Sequence, residues 1–210
     1  MRKIAVSIIP KRHAFGISIA AISLLSAAFA AQEARAGEPI SQGKPVTSNA
    51  PAYGQDEGRQ QSDGQFSPAK IVDGELGDIR TSDGSSYWLG ADGVNDAEIT
   101  IDLGGNFKID KISLQDTHNH WWHDRGTRDF VVTAATDIEG PFWVIAGGSF
   151  SRDEWMNLTM KEFPVPDTIM NVARYVRVHA LNSWGGQGGG INGRSVGLNE
   201  VQVFGAPAAP

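Results

Sequence analysis

The sequence predicts an all-β protein, a sandwich or barrel of short strands, and three observations carry that reading. Apolar residues alternate with polar ones in short segments rich in Val, Ile, Thr and aromatics. Gly, Asp, Asn or Pro bounds each segment, as turns require. No window sustains an amphipathic helix; "DEWMNL" offers at most one turn.

Taken in order, the chain opens on Arg2, Lys3, Lys11 and Arg12, then an apolar stretch, "AFGISIAAISLLSAAFAA", then Ala34-Arg35-Ala36. A basic start, an apolar middle and a small-x-small site read as a secretory signal peptide cut after Ala36, although the apolar run also reaches the lower edge of spanning length for a retained anchor. Residues 37–69 are rich in Gly, Pro, Ser and Gln and form a lead-in, either a linker or an irregular wrap at the domain entrance. Strands are expected at 98–103, 109–115, 128–134, 142–146, 158–163, 174–180 and 199–205. In the sixth, Arg174, Val176 and Val178 face one side and Tyr175, Arg177 and His179 the other, the alternation of a half-buried strand. "IDLGG" at 101–105 ends one strand at a glycine pair and "IDKISL" resumes the next, so the two read as a hairpin-like step. Trp88, Phe130 and Trp143 fall inside strand-like patterns and are expected to pack in the core or at its edge; Trp155 is left open. The tail, 206–210, has nothing to pack and is expected to fray.

Charge and cysteine count narrow the function. The leader holds five of the 18 basic and one of the 24 acidic side chains, so residues 37–210 keep 13 and 23, a net charge of −10. Such a chain repels phosphate backbones and anionic lipid, which argues against nucleic acid and against membrane association once the leader is removed. Without cysteine it has neither a disulfide nor a thiol nucleophile, and its stability must come from packing or a bound ion. No G-x-S-x-G elbow or paired glutamates on neighbouring strand ends suggest catalysis.

Five segments in order, "AKIVDG" (69–74), "SSYWLG" (85–90), "ITIDLGGNFKIDKISL" (99–114), "NVARYVRVHA" (171–180) and "GLNEVQVFG" (197–205), resemble landmarks of the discoidin, or coagulation-factor 5/8 type C, domain. That family is a galactose-binding-like jelly roll and includes the family 32 carbohydrate-binding modules. The resemblance covers about residues 40–205 and implies a sandwich over 70–205, with landmarks that could begin near residue 40 and with the first and last of them brought together. It also implies a structural Ca²⁺ held by Asp73 and Glu200, with the Lys70 carbonyl and oxygens around Asp78 and Thr81 completing the shell. Hard Ca²⁺ takes six to eight oxygens. The stretch between Asp73 and Tyr87 is longer than the family's usual loop, so Ser86 could take the place given to Thr81.

The resemblance places ligands among loops at one end of the sandwich, which turns attention to "THNHWWHDRGTRDF" at 117–130. Trp121 or Trp122 could stack on a pyranose face, Arg125 could present a fork of donors to vicinal hydroxyls with Asp124 accepting, and His118, His120 and His123 could add polar contacts. Adjacent tryptophans cannot share one environment, so at least one is expected to be exposed. The spacing H-x-H-x-x-H also supplies three imidazoles, enough with a water for zinc, but there is no H-E-x-x-H helix and no carboxylate placed as a base. A second loop, 182–195, carries six glycines between Gly185 and Gly193 without a G-K-S/T, so it is read as a close-approach loop with Trp184, Asn192 and Arg194 as its contacts. The expected function is a non-catalytic, periplasmic or extracellular carbohydrate-binding module for a glycan or cell-surface polysaccharide. The alternative is a calcium-stabilised adhesion domain that meets a surface protein.

Overall fold

The structure is a computed structural model describing residues 37–54, 65–81, 84–167, 171–184 and 195–209; the side chain of Thr81 and the expected leader lie outside the described residues. All described residues belong to one compact unit, Ala34–Pro210. The strands are β1 (Val46–Ser48), β2 (Arg80–Thr81), β3 (Gly84–Ser85), β4 (Trp88–Leu89), β5 (Ala97–Gln115), β6 (Thr127–Ala135), β7 (Trp143–Ser149), β8 (Met160–Pro164), β9 (Val172–Ser183), β10 (Gly197–Leu198) and β11 (Glu200–Pro207). The helix α1 (Arg152–Met156) is a single turn closed by a Ser151–Glu154 capping box.

The long strand β5 belongs to both layers of the sandwich. Its first half pairs with β1 and β9 in the order β1-β5-β9-β6-β7, and its second half pairs with β11 and β8. The segments around Gly104 and Gly105 are therefore not a hairpin. The chain bends there, with Gly104 at φ +83°, and runs on into the other layer without reversing. Because the inward residues of both halves face the same interior, Ile99, Ile101, Leu103, Ile109, Ile112 and Leu114 are all buried. Val176 and Val178 of β9 and Val201 and Val203 of β11 close the core from either side. Arg174 does not follow its inward parity: it lies opposite the β5 bend, where the pairing register shifts, and its guanidinium takes the Asp102 carboxylate at 2.8 and 2.9 Å.

The ends of the domain lie further out than the sequence pattern suggests. In the lead-in, the Ile40 N–H donates to the Val203 carbonyl, and Ser41 bonds Val201 and Val203, so this stretch seals β11. At the tail, Ala206 and Pro207 extend β11 against Lys108 and Phe107, and the Ala208 N–H reaches the Asn106 carbonyl, so residues 206–208 are paired rather than frayed. Proline is tolerated there because the ladder is ending. Trp88 and Phe130 are core residues, Trp143 packs half-buried at the core edge, and Trp155 is buried on α1.

Candidate functional site

The loop between β5 and β6 is built from its base upward. Asp116, fully buried, accepts from the backbone N–H groups of Thr117 and Thr127 at 2.8 Å each, which ties the two ends of the loop together. Burial pushes the Asp116 carboxyl well above the ordinary range, against these two hydrogen bonds. From α1, the Trp155 indole N–H is shared by the carbonyls of Thr117 and Arg125, both at 2.9 Å. Gly126 lies under this clamp at φ +125°; a Cβ there would sit 2.0 Å from the Thr117 carbonyl oxygen, so only glycine fits.

Above the base, side chains from distant segments hold the turn. Asp78 Oδ2 accepts from the N–H groups of His118 and His120 at 2.8 and 2.9 Å. Asn119 donates to Asp124 and accepts from the Tyr87 hydroxyl. The 3₁₀ turn His120–Trp122 follows, with Asn119, His120 and His123 in the left-handed region at φ 61°, 55° and 48°. Such conformations persist only where the surroundings over-determine them. The outcome is that Trp121 and Trp122 are 67% and 59% exposed, both free on the surface where at least one was expected. The His120 ring lies against Trp121, with centroids 4.2 Å apart, while the His118 ring turns inward against His123.

Two predicted contacts serve the scaffold instead. Arg125 is only 5% exposed: Nη2 reaches Asp92 Oδ1 at 2.8 Å, and the guanidinium lies 4.2 Å from the Tyr53 ring centre. Its fork therefore braces the loop against residues 53 and 92, and Asp124, at 3.8 Å, is its more distant carboxylate. Trp184 stacks on Trp155 at 5.7 Å, and its backbone N–H donates to the Gly126 carbonyl, so the stem of the glycine-rich loop starts beside the histidine loop. Asn192 and Arg194 lie outside the described residues.

The residues proposed for an ion divide between two places. Glu200, 1% exposed, accepts from the Gly74 N–H at 3.3 Å, and Asp73 sits beside it, bonding the Glu75 N–H and facing the Lys70 ammonium at 3.4 Å. Burial, reinforced by the Asp73 and Glu75 carboxylates and partly offset by the Gly74 N–H, pushes the Glu200 carboxyl up to about 8. A buried carboxylate among acids is a place a cation would relieve, so Asp73 and Glu200 suit Ca²⁺. Asp78 does not join them, because its carboxylate is committed to His118 and His120. Ser86 is engaged internally, accepting from the Ile79 N–H and donating to the Gly77 carbonyl. Among the described residues no group of three or more His, Asp or Glu is arranged to hold a metal.

Sequence reasoning missed Tyr53, Asp92, Asp116, Asn119 and Trp155 as site builders. Only the isolated glycine at 126 between two polar runs carried a local signal of the close approach there.

The sandwich thus presents Trp121 and Trp122 to solvent on the loop between β5 and β6. The F5/8 type C domain model matches residues 49–195, and the chain belongs to that family. The sandwich extends beyond the match on both sides, through β1 and β11. Solved structures share the fold. The family 32 carbohydrate-binding module of NanJ from Clostridium perfringens, in complex with galactose, is 15% identical with a TM-score of 0.54, over 79% of this chain and 97% of its own. Chitosan-binding module 1 from the chitosanase/glucanase of Paenibacillus sp. IK-5 is 15% identical with a TM-score of 0.54, over 80% and 99%. A third, the module CBM32-3 from a family 31 glycoside hydrolase of Clostridium perfringens, is 16% identical with a TM-score of 0.56, over 80% and 93%. No curated protein sequence matches the chain.

Proposed function

We propose that this protein is an exported, non-catalytic glycan-binding module whose ligand stacks on Trp121 or Trp122. The observation that carries the reading is the exposure of two adjacent indoles, each more than half open to solvent, on a turn pinned by Asp78, Asn119 and Trp155. A rigid, pre-exposed aromatic platform loses little conformational freedom on binding. His120, beside Trp121, and Asp124 are the polar groups at its rim. Arg125 acts from below by fixing the loop. The printed names of the fold relatives, one bound to galactose and one chitosan-binding, support a saccharide as the ligand class.

A Ca²⁺ ion at Asp73 and Glu200 forms the second part of the proposal. Its role is structural: Glu200 pairs with Gln115, the residue before Asp116, so an ion there would stiffen the base of the binding loop. The basic, apolar and A-R-A leader supports export to the periplasm or the cell exterior. The test is a glycan array screened with calcium and again with chelator. A defined saccharide hit that competes with free sugar and disappears in Trp121→Ala or Trp122→Ala supports the reading. A blank array from folded protein, or a hit indifferent to both substitutions, overturns it.

A further inference from the structure

The three histidines of the binding loop do not act as one group. His120 turns out to lie on Trp121, whereas His118 and His123 meet edge to face with ring centroids 4.6 Å apart and an interplanar angle of 83°. Two imidazoles bound to one transition-metal ion at about 2.0–2.1 Å have ring centres roughly 4.5–5.2 Å apart. The observed spacing falls within that interval. His118 is further oriented from behind: its Nδ1 lies 3.1 Å from Asp78 Oδ2, although off the direction a hydrogen bond needs. Asp78 Oδ2 also accepts from the backbone N–H groups of His118 and His120, so one carboxylate holds the turn and sits behind the imidazole at the same time. His123 is exposed, which leaves an open approach for an ion from solvent.

We propose that His118 and His123 form a two-imidazole site for a borderline divalent ion such as Zn²⁺, Ni²⁺ or Cu²⁺, completed by water, with Asp78 as the carboxylate that orients His118. The ring nitrogen of His118 not facing Asp78 is the ligand, and a carboxylate behind a ligating imidazole raises its basicity and fixes its tautomer. The softer imidazole pair selects against Ca²⁺, which takes oxygen. The site is thus chemically separate from the Asp73–Glu200 position. His123 holds a left-handed backbone, φ 48°, and its ring meets that of His118 edge to face. The inference stands whether or not the loop binds a saccharide, since it uses neither tryptophan.

The test is calorimetric titration of Zn²⁺ into the whole protein with calcium present, together with Co²⁺ absorption in the visible range, which reports ligation directly. One ion per chain is expected, with at least tenfold weaker binding in His123→Gln and in His118→Gln, unchanged binding in His120→Gln, and a 10- to 100-fold weakening in Asp78→Asn. His123 is exposed, so its substitution leaves the fold intact and decides the matter even where His118→Gln or Asp78→Asn disturbs the loop. Binding by His123→Gln as tight as wild type, or no Co²⁺ spectrum in the wild type, overturns the proposal. An equal loss in His120→Gln overturns it too, in favour of a three-imidazole site.

Discussion

Substituting Glu200 by Gln should make the calcium-free protein more stable at neutral and higher pH. Glu200 is buried next to Asp73 and Glu75, and its carboxyl is pushed up to about 8 from the ordinary 4.5. The folded protein therefore holds this proton more tightly than the unfolded chain. The stabilisation from the bound proton is fully present below about pH 4.5 and is lost as pH rises through about 8, at about 1.4 kcal/mol per pH unit. Over the whole interval the difference approaches about 5 kcal/mol, an upper figure because the folded site can relax or admit water. Asp116, also raised by burial, titrates with the same sign, so the wild-type slope alone does not isolate Glu200. The difference between the two proteins does. Urea denaturation with chelator should find wild type and Glu200→Gln within about 1 kcal/mol at pH 5, and the variant more stable by several kcal/mol at pH 8. Millimolar calcium should then stabilise the wild type at pH 8 and leave the variant unchanged. Equal stabilities of the two chelated proteins at both pH values would refute the burial argument. A calcium response that survives in the variant would remove the ion from Glu200.

Three further outcomes follow from the loop. Gly126→Ala, which forces a side chain into the Thr117 carbonyl at φ +125°, should destabilise the protein by about 3–5 kcal/mol in the same denaturation assay. Trp155→Phe leaves the Thr117 and Arg125 carbonyls without their shared donor and should cost about 1–3 kcal/mol, with a loss of amide exchange protection around residues 117–127. Trp121→Ala and Trp122→Ala, at exposed positions, should change stability by less than about 0.5 kcal/mol; at least one should weaken saccharide binding about tenfold or more in titration calorimetry.

Much of the fold was legible because strand periodicity is local. The alternation in 98–103, 109–115 and 199–205 told which residues face the core, and β5 and β11 bury those side chains. The link between the first two segments was not legible, because a glycine pair permits both a reversal and a bend. Only the pairing partners distinguish them: β9 pairs with β5 on both sides of the bend, while β1 joins the first half and β11 and β8 the second. In the site, the sequence implied that at least one of the adjacent tryptophans is exposed, since two neighbouring indoles compete for one pocket, and in the structure both are. The place of Arg125 did not follow: a guanidinium in a polar loop looks the same in sequence whether it faces solvent or lies against Tyr53 and Asp92. The family resemblance likewise implied oxygens around Asp78 in the ion's shell, and its carboxylate instead holds the turn at His118 and His120.

By itself the sequence determined an all-β chain without thiol chemistry, its main strands, and the loop that carries its aromatic and histidine side chains. These follow from composition and from a period of two, which neighbours along the chain are enough to express. The tertiary structure decided which polar groups of that loop point outward and which hold it in place. That choice depends on Tyr53, Asp78, Tyr87, Asp92 and Trp155, residues that reach the loop only once the sandwich has closed and burial demands a partner for each polar group.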